Sequence, residues 1–266
     1  MNWNVHPEAL TLGHFVIRWY GLFFASGILA CYFVLKNKVW PREGLKEPEL
    51  DRLATYVVVG TVIGARLGHT LFYQPSFFLT HPLEILKVWK GGLASHGAAI
   101  GILTAIWFYA RRIHVPYLWA TDRVALVVPL AGTFIRIGNL LNSEIIGRPT
   151  TVPWAVRFLR VDSLPRHPAQ IYEALSYCGI FVALYFYYSK YGKQTPRGSL
   201  SGAMLFLVFT TRFLLEFVKE VQEPFEASLP LKMGQLLSVP FILLGLILMI
   251  LSWRASNRNK AAQREN

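Results

Sequence analysis

Arg136-Ile137-Gly138-Asn139-Leu140-Leu141-Asn142-Ser143-Glu144-Ile145-Ile146-Gly147 closes an apolar run and places a cation, two amides and a carboxylate where a helix leaves a membrane. An arginine near the centre of a spanning helix costs roughly 2.5–3.5 kcal/mol on insertion scales, so a cation retained there marks a functional site. It calls for an anionic partner.

The run that Arg136 ends covers about residues 117–137, and six others of roughly spanning length surround it, near 14–35, 53–73, 93–110, 170–189, 200–218 and 234–253. The 266 residues are 53% hydrophobic, with no segment polar enough for a separate soluble domain. The expected fold is an all-α integral membrane protein of about seven transmembrane helices. Residues 1–266 form one polytopic domain, with the longest connection, 138–169, as a small extracytoplasmic cap. The first run lacks the basic start and small-residue cleavage site of a secretory signal, since Met1 to Leu10 contains no Lys or Arg, and it is expected to remain in the mature protein.

A net charge of +12 would suggest nucleic acid in a soluble protein, but here Lys and Arg fall mostly in short loops between apolar runs. Alternate connections carry 15 on one side and eight on the other, which makes the first side cytoplasmic. The N-terminus and 138–169 are then expected outside and the C-terminus inside. No nucleic-acid partner is expected.

This orientation gives each polar group within the runs a depth. Arg18 and Tyr20 begin the first helix, Arg66 and His69 lie late in the second, and His96 begins the third. Arg136 ends the fourth, Arg212 lies late in the sixth, and Gln235 begins the seventh. All fall in the outer half, where a cavity opening toward the outer leaflet would satisfy them together.

Residues 76–92, with Phe77, Phe78, Leu83, Ile85, Leu86 and Trp89, read either as an interfacial amphipathic segment or as a simple connector. Pro41, Gly44 and Pro48 mark one cytoplasmic turn, and Pro196 and Gly198 another. Cys31 and Cys178 sit in apolar helices without a metal-spaced cluster and read as buried small hydrophobes, with no disulfide. No metal, nucleotide or other cofactor is implied.

Beyond these readings, the run from Arg136 to Gly147 resembles the signature of the prolipoprotein diacylglyceryl transferases. Further motifs continue the resemblance in family order: Ile17-Arg18-Trp19-Tyr20-Gly21, Gly64-Ala65-Arg66-Leu67-Gly68, Gly91-Gly92-Leu93-Ala94-Ser95-His96-Gly97, His167-Pro168-Ala169-Gln170-Ile171-Tyr172-Glu173, Arg212-Phe213-Leu214-Leu215-Glu216 and Met233-Gly234-Gln235. There are departures. Val208 stands where an aromatic hydroxyl is often found, Lys219 replaces an arginine expected after Glu216, and the following acidic turn reads Glu220-Val221-Gln222-Glu223-Pro224. His96 is followed by Gly97-Ala98 rather than a glycine pair.

The resemblance implies a transferase of the bacterial cytoplasmic (inner) membrane that catalyses the first step of lipoprotein maturation. Its substrates would be phosphatidylglycerol, admitted laterally from lipid, and the lipobox cysteine of a prolipoprotein signal peptide; the products would be a thioether and glycerol phosphate. Such a reaction needs anionic phosphate held in a low-dielectric site and help in removing the thiol proton. Arg136 and Arg212 suit the first task, because a guanidinium is permanently charged and grips phosphate oxygens through two parallel hydrogen bonds. A structural clamp by Arg136, and pairing of Arg212 with Glu216 one helical turn away, are the alternatives. His96 suits proton removal, directly or through water; a structural helix-start histidine is its alternative.

Asn139, Asn142, Glu144 and Gly147 are expected to shape the substrate site: the amides by bonding phosphate or glycerol hydroxyls, Glu144 by orienting Arg136, Gly147 by permitting a tight turn. Helix-end capping is the competing role for either asparagine. Tyr20 could bond the headgroup or anchor at the interface, and Arg66 could contact phosphate or snorkel. Arg18 reads as structural. Glu216 joins the substrate-binding set, while Gln235, Gln170 and Glu173 are supporting candidates. His6, His14, His81 and His114 read as loop or interfacial residues. An anion or lipid transporter with an arginine-lined cavity is the alternative function, weakened by the confinement of these polar groups to one half of the membrane.

Overall fold

The computed structural model describes residues 1–13, 15–88, 91–220 and 231–262. His14, Trp89, Lys90, Arg264 and the turn Val221 to Pro224 lie outside the described residues. The chain is mostly helical, and its contacts divide it into two compact units, Met1–Val34 with Asp122–Asn266, and Leu35–Thr121. Among the described residues, five helices are long and apolar enough to cross a membrane: Trp19–Glu43, Tyr117–Asn142, Ala169–Gln194, Ser199–Val218 and Met233–Arg258.

In the first unit, the N-terminal strand β1 (Asn2–Trp3) is followed by an antiparallel hairpin, β2 (Glu8–Leu12) and β3 (Phe15–Arg18), turning at Gly13 with φ 59°. Helix α1 begins only at Trp19 and runs to Val34. The expected first helix from residue 14 is therefore corrected: residues 15–18 are strand, and Arg18 ends that strand instead of opening the helix. Apolarity alone could not separate the two, because Phe15-Val16-Ile17 is as hydrophobic as the helix after it; β-branched Val16 and Ile17 favour the extended form.

Helix α6 (Tyr117–Asn142) continues five residues beyond the expected end at 137. Its residues from Asp122 belong to the first unit, where two faces pack closely. A Cβ on Gly138 would lie 3.1 Å from the Tyr20 ring, one on Gly27 would lie 2.9 Å from Phe134, and one on Gly132 would lie 3.0 Å from Tyr177. These contacts set α6 between α1 and α7 (Ala169–Tyr191). The helix stops where Ser143 and Ile145 take left-handed φ of 57° and 54° and the Glu144 N–H reaches back to Asn139 O at 2.9 Å. Arg136 thus lies six residues before the helix end, about 9 Å at 1.5 Å rise per residue.

Helix α8 (Ser199–Leu215) starts at Gly198, whose left-handed φ of 89° suits glycine. Its first turn is capped by a carboxylate from α6: Asp122, fully buried, accepts hydrogen bonds from Gly198 N at 2.7 Å and from Ser201 N and Oγ at 2.8 Å. Three donors and the positive end of a helix offset the cost of burying that charge. Helix α9 (Met233–Ala262) crosses α8 at Gly245 and Gly202; a Cβ on Gly245 would lie 2.6 Å from Phe206 N.

The connection from residue 143 to 168 carries β4 (Val156–Phe158) and β5 (Pro165–Arg166), and β1 adds in parallel to give a three-stranded sheet of order β1-β4-β5. The same segment is bonded to the chain after α8: Arg148 N donates to Val218 O at 2.9 Å and Glu220 N to Ile146 O at 3.2 Å. Arg166, buried, binds Asp162 through Nε at 3.0 Å and also pairs with Glu220. The Arg166 hydrogen bonds hold the Asp162 carboxyl below the usual carboxylate range. Sequence reading gave no strands here, because two- and three-residue strands leave no visible alternation.

In the second unit, a π-helical turn (Leu35–Val39) and the short α2 (Trp40–Glu43) extend the first spanning helix, and Gly44 ends it with φ 72°. The expected turn at 36–52 is thereby shortened. Helix α3 (Glu47–Phe72) opens with Pro48 in its first turn, and Glu49 accepts the Lys46 N–H at 2.7 Å. It packs on α5 (Ser95–Arg112) through glycines from both sides. A Cβ on Gly68 would lie 2.7 Å from Gly97 Cα, and one on Gly64 would collide with Gly97 O. Small residues let helix backbones approach closely where apolar burial gives no preference for helix over lipid. Between them lie α4 (Pro75–Thr80) and a 3₁₀ turn (Pro82–Leu86), with Phe78 buried and Phe77, Leu79, Leu83 and Leu86 exposed.

Both cysteines are free thiols. The expectation that both are buried is corrected: Cys31 is half-buried and donates to Val127 O, whereas Cys178 is exposed on α7.

Candidate active site

Three residues on α6 repeat at a spacing of three, so Arg136, Asn139 and Asn142 follow one another along neighbouring helix positions. Arg136 donates to Asn139 Oδ1 at 3.2 Å; Asn139 Nδ2 donates to Glu144 Oε2 at 3.2 Å, and Asn142 Nδ2 to Glu144 Oε1 at 3.1 Å. Glu144 is held by both amides and touches Arg136 only through Asn139. Gln170 fixes the turn itself by donating to Glu144 O at 2.5 Å.

The anionic partner of Arg136 comes from α7. Arg136 Nε lies 3.0 Å from Glu173 Oε2, and the Glu173 carboxylate is wholly buried. Its other oxygen lies 2.8 Å from Lys219 Nζ, itself buried, and Lys219 lies 3.5 Å from Glu216. Glu173 thus bridges two cations, and Lys219 in turn bridges two carboxylates. Removing one member of such a buried pair costs about 3–5 kcal/mol, because the charge left behind has lost its partner.

Arg212, half-buried on α8, has no described carboxylate within ion-pair distance. The alternative partner, Glu216, lies against Lys219, and it also crowds the start of α9, where a Cβ on Gly234 would lie 2.5 Å from Glu216 Oε2. Tertiary packing therefore overrides the one-turn spacing. Buried Tyr177 lies in the electrostatic field of both Arg136 and Arg212, and Tyr20 in that of Arg136 and Glu144. Lys232 Nζ donates to the main-chain oxygens of Glu216 and Lys219 at 3.0 and 2.6 Å.

Gln235, buried, accepts Lys232 N–H at 3.1 Å through Oε1 and donates toward Phe213 O at 3.4 Å, joining the start of α9 to α8. Gly147 N donates to His167 O at 3.0 Å, and a Cβ there would lie 2.5 Å from His167 Cβ, so glycine is needed for the close approach. Burial, with Arg148 nearby, lowers the His167 pKa below the ordinary imidazole value.

The first unit therefore contains Tyr20, Arg136, Asn139, Asn142, Glu144, Gly147, Arg212, Glu216 and Gln235. Arg66 and His96 belong to the second. His96 is exposed at the second residue of α5. Arg66 is buried, with Nε on Ile85 O at 2.8 Å, NH1 on Gly91 O at 2.7 Å and NH2 on Glu84 O, and it sits 5.0 Å over the Phe78 ring. Those bonds fix the segment that leads to His96. Sequence reasoning missed Lys232 and Tyr177 as neighbours of the site, treated Lys219 only as a departure, and gave Glu173 a supporting place; the local signal for Lys219 was its i+3 spacing from Glu216.

A family model described as prolipoprotein diacylglyceryl transferase matches residues 7–251. A relative from Tolumonas auensis, named phosphatidylglycerol–prolipoprotein diacylglyceryl transferase, is 48% identical over 96% of this chain and 99% of its own length. One of the same name from Chloroherpeton thalassium is also 48% identical, over 98% of this chain and 97% of its own. A third, from Porphyromonas gingivalis, is 43% identical over 94% of each.

Proposed function

The chain belongs to the prolipoprotein diacylglyceryl transferase family, and on that premise we propose how its residues carry out the reaction. It is a multi-pass membrane enzyme that transfers the diacylglyceryl group of phosphatidylglycerol to a prolipoprotein, the first step of lipoprotein maturation. The anion or lipid transporter alternative is not favoured by the relatives' names.

In the proposed mechanism, the lipobox cysteine sulfur attacks the diacylglycerol carbon that bears the phosphate oxygen. A C–S bond forms, that C–O bond breaks, and glycerol phosphate leaves with the electron pair. The thiol proton passes to His96 or to a water it holds. Arg136 and Arg212 bind the phosphate and its developing charge. Asn139, Asn142 and Tyr20 hold headgroup oxygens; Glu144, Gly147, Glu216 and Gln235 keep these groups in place, and Arg66 fixes the segment before His96.

The observation that carries this reading is the charge balance of the first unit's site. Four cations, Arg136, Arg212, Lys219 and Lys232, stand with three carboxylates, Glu144, Glu173 and Glu216, so one positive charge is left over in the first unit's site. A phosphodiester supplies one negative charge. Purified protein incubated with phosphatidylglycerol and a lipobox peptide should yield a diacylglyceryl thioether by mass, and a peptide with Ser for Cys should yield none. No thioether in any detergent or bilayer would overturn the assignment.

We further propose that α3 and α5 also cross the membrane, giving seven spans in one domain of 1–266. Their lengths of 26 and 18 residues support this, corresponding to about 39 and 27 Å. Polar starts and Arg66 keep their composition below that of the other five. The enzyme would sit in the bacterial inner membrane with the N-terminus and the 138–169 cap outside and the C-terminus in the cytoplasm. Single cysteines at Glu8, Thr151 and Asn259, placed in a Cys31→Ala, Cys178→Ala background, should label from outside at the first two and only from the cytoplasm at the third; the opposite pattern would reverse the topology.

A further inference from the structure

We infer that the outward face of residues 154–164 is a sill that docks on anionic phospholipid headgroups beside α7. The inference rests on the reading of α7 as a spanning helix. Trp154 is 60% exposed, yet its indole Nε1 donates to Tyr172 Oη at 2.6 Å, and Tyr172 is in the first turn of α7. That bond sets the indole at the level where the helix begins, the depth that tryptophan favours because it offers an apolar ring and one polar N–H.

The residues after Trp154 divide into a buried set and an exposed set. Ala155, Val156 and Phe158 are buried, whereas Arg157, Leu159, Arg160, Val161 and Leu164 are exposed. Among the described residues, Arg157 and Arg160 have no carboxylate within ion-pair distance; Asp162, the one acidic residue of the stretch, is paired with Arg166. Exposed basic and apolar side chains interleaved along one short stretch fit a headgroup layer: guanidinium groups meet phosphates while leucine and valine reach the acyl boundary. The substrate is itself an anionic phospholipid, so this face would also raise its local concentration.

The test uses full-length protein in nanodiscs, with Leu159→Cys carrying an environment-sensitive fluorophore in a Cys31→Ala, Cys178→Ala background. Quenching by headgroup-spin-labelled lipid is compared in phosphatidylcholine alone and with added phosphatidylserine at low salt. Anionic lipid should increase quenching, high salt should reverse the increase, and Arg157→Gln and Arg160→Gln should each lower the docked-to-undocked ratio by about fivefold. Equal quenching in both bilayers, or an unchanged ratio when Arg157→Gln and Arg160→Gln are combined, would overturn the inference; so would quenching that arises only when a precursor peptide is added, since the face would then belong to a protein partner. Docking is read without turnover. A docked protein inactive in transfer would count against the catalytic reading alone, and an active protein that does not dock would count against this inference alone.

Discussion

Arg136→Ala and Arg212→Ala should each slow single-turnover diacylglyceryl transfer by about 10²–10³-fold, the loss expected when a group that stabilises developing charge is removed. The two variants should differ in stability. Arg136 contacts buried Glu173 at 3.0 Å, so its loss leaves that carboxylate to Lys219 alone and should weaken the fold as well as the reaction. Arg212 meets no described carboxylate, and Arg212→Ala should lose transfer with little loss of thermal stability. Arg136→Lys separates the effects: its ammonium can still neutralise Glu173 but lacks the planar fork, so stability should recover while transfer recovers poorly. Transfer rate and unfolding temperature in one detergent measure both. Full activity in either well-inserted alanine variant would rule out an essential clamp at that position.

How far such a site can be read from the sequence depends on how local its partners are. The Arg136, Asn139, Asn142 and Glu144 group was legible because helical spacing and one turn bring it together. Glu173 as the ion-pair partner was not, since it lies on another helix and only the packing of α6 on α7 at Gly132 and Tyr177 decides the meeting. Arg212 and Glu216 show the opposite case, in which one-turn spacing offered a pairing as an alternative that packing does not make, because Glu216 lies against Lys219 and the start of α9. Helix positions were legible from apolar runs, but their ends were not. Arg18 ends a strand, and α6 continues to Asn142, because hydropathy does not distinguish an apolar strand from an apolar helix or register polar residues that remain helical. Asp122 gave no local sign that it caps α8, a contact made with Gly198 and Ser201 far along the chain.

The other large effect concerns the thiol. A free cysteine with pKa near 8.5 is only a few per cent ionised at pH 7, a deficit of roughly 2 kcal/mol that a base beside it can offset. His96 is exposed at the start of α5, and Arg66 fixes the segment before it through Ile85, Gly91 and Glu84 oxygens. The imidazole is thus exposed, and it follows main chain that Arg66 holds at Glu84, Ile85 and Gly91. His96→Gln keeps polarity and approximate size but removes basicity, so the chemical step should slow by about 10²–10⁴-fold if His96 is the general base, while lipid binding changes much less. Raising the pH increases the thiolate fraction without any help from the protein, and should therefore return the variant part of the way toward the unsubstituted enzyme. Single-turnover transfer across a pH series makes the distinction. A loss that does not vary with pH would assign His96 to headgroup positioning, and unchanged transfer at neutral pH would remove it from the mechanism.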